Sequence, residues 1–96
     1  MSESPRPATE RAPRVVMYTK TWCPYCTMAK RLLAAKGAPV DEINVEEDAA
    51  QLTRMLERSG GLRTVPQIFI GERYVGGYDE LAALEREGRL DGLLGA

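Results

Sequence analysis

The sequence predicts a single α/β domain in which helices cover a four-stranded mixed sheet. The chain has 96 residues, the size of one small domain with a modest core. Short apolar runs alternate with longer segments of helical spacing, in the order strand, helix, strand, helix, hairpin, helix. Because a helix connects the first two strands, these should be parallel, whereas the hairpin strands must be antiparallel.

The first half of the chain supplies two strands and the helix between them. The apolar run at 15–18 is typical of a buried strand. The segment 27–36 carries an apolar stripe at helical spacing, and Gly37 and Pro39 then stop the helix. The segment 40–45 alternates in character and predicts the second strand.

A second helix is predicted to follow the acidic cluster at 46–48 and to extend to Ser59. Negative charge is favoured at the start of a helix, where the backbone dipole is positive. The expected buried face consists of Leu52, Met55 and Leu56, and two glycines at 60–61 end the helix.

A hairpin is predicted from two short β-prone runs at 67–70 and 73–75. They are separated by Gly71 and Glu72 only, and glycine in the first of two loop positions is typical of a type II′ turn.

The chain is expected to end in helices that pack on the sheet. After the glycines at 76–77, Tyr78 or Asp79 should cap a third helix that stops near Gly88. Leucines in the segment 90–94 predict a last short helical turn.

Composition excludes several classes of function. There are 13 Lys and Arg against 14 Asp and Glu, so no basic field suggests binding to nucleic acid or to an anionic membrane. The absence of histidine excludes a Cys-His catalytic pair and a His-containing zinc site within one chain. We expect a monomer with one functional site.

The segment 1–13 has the composition of a disordered tail, with three prolines, mixed charge and no apolar run. This leaves 14–96 as the folded domain. The tail lacks the apolar core of a secretory signal, and no later segment approaches the length of a membrane span. A cytoplasmic protein is therefore expected.

Both cysteines lie three residues apart, where the first strand turns into the first helix. Pro24 suits the first helical position, with Cys23 as the N-cap. A sulfur at that position faces unpaired N–H groups and the positive end of the helix dipole, which favour thiolate over thiol. Cys23 is therefore the predicted nucleophile. Cys26 lies one turn further along the same helix face and is the predicted resolving thiol of a small disulfide ring.

A Cys-x-x-Cys pair is also half of a zinc site. However, this chain has neither a second cysteine pair nor a histidine to complete one. Two cysteines are also fewer than a secreted disulfide scaffold usually carries. A redox pair is the favoured interpretation, and no metal is expected.

The chain from Val15 to about Leu94 resembles the dithiol glutaredoxins of the bacterial type. Three motifs carry the resemblance, in this order and spacing: Lys20-x-x-Cys23-Pro24-Tyr25-Cys26, Thr64-Val65-Pro66 and Gly76-Gly77-Tyr78-Asp79. The resemblance implies a thioredoxin-like fold, glutathione as co-substrate, and thiol-disulfide exchange with glutathionylated or disulfide-containing proteins.

The resemblance also implies a glutathione site, which must offer cations, an anion and free backbone groups to a peptide with two carboxylates and one ammonium. Lys20 would attract the glycyl carboxylate, and Thr64 and Val65 would pair with the cysteinyl portion. Pro66 would be cis. The helix that follows Gly76 and Gly77 would receive the γ-glutamyl carboxylate, and Asp79 would pair with the ammonium. Tyr25 and Tyr78 complete the expected set, and Trp22 and Tyr25 should be exposed aromatic residues at the rim.

The sequence departs from the family pattern at two places. Many relatives have Cys or Ser where Tyr78 stands, so the rim here should be bulkier. Relatives often supply a Gln or a basic residue from the second helix to the glycyl carboxylate, and that position falls near the apolar Leu52. Gln51, Arg54 and Arg63 are the alternatives for this contact.

Three further alternatives are weighed against this interpretation. Some relatives bridge two chains through a [2Fe-2S] cluster, but those usually have Gly or Ser in place of Pro24. An electron donor that is reduced by thioredoxin reductase, and not by glutathione, would not need the residues that bind glutathione. Finally, Asp79 could be only a helix cap; because a cap carboxylate retains free lone pairs, the cap and ligand roles can coexist, and they are given equal weight.

Overall fold

The computed structural model describes residues 13–95, so the predicted tail lies outside the described residues except for Pro13. The observed elements follow the predicted order. The strands are β1 Val15–Thr19, β2 Val40–Asn44, β3 Gln67–Ile70 and β4 Arg73–Gly76, and the helices are α1 Pro24–Ala35, α2 Ala49–Ser59, α3 Tyr78–Arg86 and α4 Leu90–Leu93.

The four strands form one mixed sheet in the order β2-β1-β3-β4. Strand β1 is parallel to β2 and antiparallel to β3, so that Val15 lies opposite both Val40 and Ile70. Strands β3 and β4 are the predicted antiparallel hairpin. Gly71 has a φ of 60°, and no non-glycine residue in the described part of the chain has positive φ. This excludes a type I′ turn, which needs positive φ at both positions, and agrees with the predicted type II′ turn.

The sheet carries an apolar cluster on each face. The larger cluster joins β1 and β3 to α1, α3 and α4, with Met17, Leu33, Ile68 and Leu81 all fully buried. A smaller cluster packs α2 on the opposite face and consists of Tyr18, Val45, Met55 and Phe69. Since apolar burial contributes about 25 cal/mol per Å², these two layers supply the main force that holds the helix ends against the sheet.

Helix α1 begins and ends where the sequence predicts. Pro24 is its first residue and Cys23 its N-cap, while Lys36 is its C-cap and is followed by Gly37 with a φ of 70°. Nζ of Lys36 then pairs with Glu85 Oε1 at 2.7 Å and with Asp91 Oδ1 at 3.1 Å. The hydrogen bond to Glu85 is the main cause that raises the pKa of Lys36 above its ordinary value. The carboxyl end of α1 is thus tied to α3 and α4.

The predicted cap of the third helix is wrong. Gly77, not Tyr78 or Asp79, is the N-cap of α3, and its N–H donates to Glu80 Oε1 at 2.7 Å. A glutamate at the third helical position reaches back to the cap, as in half of a capping box. Asp79 is therefore the second residue of the helix, and its carboxylate is not needed to cap it.

Within the described residues, no helix is long and apolar enough to cross a bilayer.

Candidate active site

The two cysteines lie at the turn that joins β1 to α1. The Cys23 backbone is extended, with φ −148° and ψ 94°, which turns its side chain back over the first turn of the helix. There Cys23 Sγ accepts a hydrogen bond from the Cys26 N–H at 3.1 Å. The Thr27 N–H donates to Cys23 O at 3.1 Å, the first bond of the helix. Sulfur and backbone amides are therefore arranged as an anion site at a helix N-terminus.

The two sulfurs differ in accessibility and are joined as a disulfide, with Cα atoms 5.2 Å apart. Cys26 is only 2% exposed and belongs to the larger apolar cluster, whereas Cys23 is partly exposed at the edge of that cluster. The predicted disulfide ring is confirmed. An incoming thiolate can approach Cys23 from solvent but not Cys26.

The loop that precedes Cys23 is anchored to the segment after β2. Glu46 Oε1 accepts from the Thr21 N–H at 2.6 Å, and Asn44 Nδ2 donates to Thr21 Oγ1 at 3.2 Å. The bond from the Thr21 N–H is the largest cause that holds the pKa of Glu46 below its ordinary value of 4.5, followed by the Thr21 side chain, with the charge of Lys20 adding to them. Thr21 is thus bonded to the Glu46 carboxylate, and Lys20 lies near it.

A surface cavity of about 340 Å³ lies beside the cysteine turn. Seven predicted site residues line it, from all three motifs: Tyr25, Thr64, Val65, Pro66, Gly77, Tyr78 and Asp79. Lys20 and the two cysteines are not among its lining residues. Cys23, Val65 and Tyr78 nevertheless pack against the same apolar cluster, and Tyr25, two residues after Cys23, lines the cavity.

The second and third motifs meet through their backbones. The Val65–Pro66 peptide is cis, as predicted. A Cβ built on Gly77 would lie 3.5 Å from Pro66 O, and Gly76 has a φ of 115°, which favours glycine. Pairing of β3 with β4 therefore brings Thr64–Pro66 against the start of α3, although nine residues lie between Pro66 and Gly76 in the chain.

The amino end of α3 offers hydrogen-bond donors to the cavity. The Gly77 N–H is occupied by Glu80, but the N–H groups of the first helical turn have no partner within a helix. The N–H groups of Tyr78 and Asp79 belong to this turn and form part of the positive end of the helix dipole. The exposed Asp79 carboxylate lies beside them, so the site offers donors for an anion and an acceptor for a cation.

Tyr25 and Tyr78 line the cavity, and the predicted exposure of Trp22 and Tyr25 is confirmed. Tyr25 is 57% exposed and Trp22 84% exposed. The rings of Tyr25 and Tyr78 have centroids 6.3 Å apart, within the range of a favourable aromatic pair. The bulkier rim expected from Tyr78 is therefore present.

Sequence reasoning missed four residues that line the cavity: Leu62, Gln67, Tyr74 and Glu80. One signal was available, because Gln67 is a polar residue at the start of an apolar strand that directly follows the second motif. The three alternatives for the missing second-helix contact, Gln51, Arg54 and Arg63, do not line the cavity.

The part of the chain that the structure describes contains no group of three or more Cys, Asp or Glu residues placed to hold a metal ion.

Comparison with known proteins gives one consistent family. A model described as glutaredoxin matches residues 15–75. The chain is 54% identical over 84 residues to a glutaredoxin of Pseudomonas aeruginosa, covering 88% of this chain and 99% of that protein. It is 49% identical over 80 residues to glutaredoxin 3 of Escherichia coli K12, covering 83% and 95% of the two chains. Its fold matches that of a buckwheat glutaredoxin in complex with glutathione, with a TM-score of 0.77, 32% identity, and coverage of 92% and 81%.

The first prediction concerns the reactivity of Cys23 after reduction. In a Cys26→Ser variant, the remaining thiol should react with iodoacetamide at pH 7 nearly as fast as at pH 9, because the helix end stabilises the thiolate. A free thiol has a pKa of about 8.5 and is mostly protonated at pH 7. A rate that rises only above pH 8 would contradict the assignment of Cys23 as an activated nucleophile.

The second prediction concerns the Glu46 anchor. Because folding lowers the pKa of Glu46, its contribution to stability is present above about pH 4.5 and is lost as the pH falls through the folded-state value. Glu46→Ala should therefore lower Tm at pH 7, and the difference from the unmodified protein should shrink as the pH falls below 4.5. Glu47→Ala is the matched control, since it removes a neighbouring exposed carboxylate of the same charge. A Tm difference for Glu46→Ala that is independent of pH would contradict the anchor.

Proposed function

This chain belongs to the glutaredoxin family, whose members are glutathione-dependent thiol oxidoreductases, and we propose that Cys23 is its nucleophile and Cys26 its resolving thiol. One observation carries the assignment of roles. Cys23 is the accessible sulfur and accepts a hydrogen bond at a helix N-terminus, whereas Cys26 is buried. Cys23 can therefore react with a substrate as a thiolate, whereas Cys26 can react only with Cys23.

Removal of glutathione from a protein follows directly from these roles. The Cys23 thiolate attacks the glutathione sulfur of a mixed disulfide, the sulfur–sulfur bond breaks, and the protein leaves as a thiolate that takes a proton. A second glutathione thiolate then attacks the glutathione sulfur attached to Cys23. Glutathione disulfide is released and the Cys23 thiolate returns. One free glutathione is therefore consumed for each protein thiol released, and the other half of the glutathione disulfide comes from the substrate.

Reduction of a protein disulfide requires the second cysteine. Cys23 attacks one substrate sulfur to form a mixed disulfide, and Cys26 then attacks Cys23 to release the substrate as a dithiol. The product is the Cys23–Cys26 disulfide, which is the state of this structure. Two glutathione molecules reduce it in turn.

The cavity supports a glutathione site of the predicted composition. The N–H groups at the start of α3 suit the γ-glutamyl carboxylate, and Asp79 suits the ammonium beside it. Because the Thr64 carbonyl already accepts from Gln67 Nε2, we assign strand-like pairing with the cysteinyl portion to the remaining backbone groups of Thr64 and Val65. This pairing would bring the glutathione sulfur toward Cys23. The buckwheat structure that this fold matches is a glutathione complex, which agrees with this assignment.

We assign the glycyl carboxylate to Lys20, which lies outside the cavity lining, in the loop between β1 and Cys23. The nearby Glu46 carboxylate is already paired with the Thr21 N–H. The Lys20 ammonium is partly exposed and is the cation that directly follows β1. A tripeptide would thus extend across the cysteine turn from Asp79 to Lys20.

Protein substrates, oligomeric state and location are also part of the proposal. We assign glutathionylated and disulfide-containing proteins as substrates because Trp22 and Tyr25 give the partly exposed sulfur an open, aromatic rim. A monomer in the cytoplasm agrees with one complete cysteine pair per chain and with the need for a reducing glutathione pool.

The third prediction separates the two cysteines. Cys23→Ser should abolish activity on every substrate. Cys26→Ser should retain removal of glutathione from a mixed disulfide but should lose reduction of protein disulfides, because the resolving step then has no thiol. Both activities are followed by NADPH consumption with glutathione reductase. Equal loss of activity in both variants on a glutathionylated peptide would contradict the assigned roles.

The fourth prediction tests whether the cavity recognises glutathione. Asp79→Asn should remove one charge-assisted contact, which costs about 1 to 3 kcal/mol, so the KM for a glutathionylated peptide should rise about tenfold. The helix should persist, because Glu80 and not Asp79 accepts from the cap N–H.

Lys20→Gln provides a comparison at the other end of the tripeptide. A peptide linked to cysteamine lacks the γ-glutamyl group, so its reaction should be insensitive to Asp79→Asn but should still respond to Lys20→Gln through the lost positive charge near Cys23. If Asp79→Asn lowers Tm and leaves the kinetics with glutathione unchanged, the assignment of Asp79 to the ammonium is wrong.

A further inference from the structure

We propose that Gln67 and Tyr74 are positioning residues for the glutathione site, because a chain of side-chain hydrogen bonds from Tyr74 through Gln67 fixes Thr64. This inference rests on the proposed role of the Thr64–Val65 backbone in pairing with glutathione. Neither residue belongs to the three motifs, and both line the cavity.

Gln67 is the centre of this chain of hydrogen bonds, which we call the Thr64 clamp. It is the first residue of β3 and only 2% exposed. Its Nε2 donates to Thr64 O at 2.9 Å and to Thr64 Oγ1 at 3.1 Å. Because a carbonyl oxygen can only accept, the amide nitrogen and not the amide oxygen must face Thr64. The buried amide nitrogen therefore makes two hydrogen bonds to the same residue, Thr64.

Tyr74 fixes the orientation of this amide from the neighbouring strand. Its hydroxyl donates to Gln67 Oε1 at 2.5 Å, and its ring packs on Phe69 with centroids 5.0 Å apart. Tyr74 as a whole is 38% exposed, but desolvation of its hydroxyl and, to a lesser extent, the charge of Glu80 raise its pKa above the ordinary value of 10.0. At neutral pH a tyrosine hydroxyl carries its proton with or without this shift and can donate it. Tyr74, Gln67 and Thr64 together link the edge strand of the sheet to the second motif.

The clamp acts on a segment that has no regular structure of its own. Residues 60–66 connect α2 to β3 outside any helix or strand, and Thr64 is exposed. With its carbonyl and hydroxyl both held by Gln67, Thr64 keeps one orientation, and so does the peptide that joins it to Val65. A backbone that is ordered before the ligand arrives loses less conformational entropy on binding. The clamp should therefore increase affinity for glutathione without touching it.

The clamp makes no contact with sulfur, and this distinguishes it from the cysteine turn. Its hydrogen bonds involve Thr64, Gln67 and Tyr74 only. Loss of the clamp should thus raise the KM for a glutathionylated substrate and leave kcat and the alkylation rate of Cys23 unchanged. A purely structural role would lower Tm and leave KM unchanged.

The test uses Tyr74→Phe, which removes the hydroxyl and keeps the ring on Phe69. The KM for a glutathionylated peptide should rise about two- to tenfold, the effect of one hydrogen bond. The rate with the cysteamine-linked peptide should not change. Gln67→Met, which removes both donors at similar volume, should raise KM at least as much, and the double variant should match Gln67→Met because the two residues act in series.

Tyr18→Phe is the matched control. Tyr18 is buried and lies opposite Gln67 in the register of β1 and β3. Its hydroxyl accepts from Arg58 Nη1 at 3.1 Å, so the variant also loses one side-chain hydrogen bond to a tyrosine, but one with no link to Thr64. It should lower Tm and leave KM unchanged.

The outcomes separate this inference from the proposed function. If Asp79→Asn raises KM while Tyr74→Phe and Gln67→Met do not, the glutathione site stands and the clamp is wrong. If none of the three raises KM, both assignments are wrong. If Tyr18→Phe raises KM as much as Tyr74→Phe, the effect is general destabilisation and the clamp is again overturned. A rise in KM that is confined to Tyr74→Phe, Gln67→Met and Asp79→Asn supports both the glutathione site and the Thr64 clamp.

Discussion

The cap position of Cys23 is the constraint on which the rest of the site depends. An extended residue followed by proline places the sulfur over the first turn of α1, where it accepts the Cys26 N–H. The same turn directs Cys26 inward, into the core on which α1 packs. One local geometry therefore produces two thiols of unequal accessibility. This asymmetry is what an attacking and a resolving sulfur require.

The remaining parts of the site are arranged around that sulfur by the sheet. Strand β1 leads into the cysteine turn, and β3, its antiparallel neighbour, begins immediately after Thr64–Pro66. Strand β4 then returns the chain to Gly76 and Gly77, beside Pro66. Three motifs distant in sequence therefore reach the same region because three adjacent strands start or end there.

Charge is distributed in small, separate groups and not as a field. The anionic Asp79 lines the cavity at the start of α3, whereas Lys20 lies outside the cavity lining, in the loop that follows β1. Glu46 and Glu80 each accept a backbone N–H and thereby hold a loop or a helix end in place. A near-neutral chain can thus offer complementary charges to a zwitterionic peptide such as glutathione.

The sequence alone determined the features that depend on neighbours in the chain. Apolar spacing and glycines predicted every strand and helix, and Pro24 together with the Cys-x-x-Cys spacing predicted the cap and the disulfide. The cap of α3 was predicted wrongly, because the helix begins at Tyr78, one or two residues earlier than a cap at Tyr78 or Asp79 would place it. The glutamate at its third position then accepts from the N–H of the glycine cap.

Contacts between distant segments were decided only by the tertiary structure. Gln67 and Tyr74 lie on different strands, and only the pairing of β3 with β4 brings the tyrosine hydroxyl to the amide oxygen. The position of Lys20 outside the cavity likewise depends on how the loop before Cys23 is tied to Glu46. Such contacts leave no periodic signal in the sequence, because hydrogen-bond partners are fixed by strand register and not by spacing along the chain.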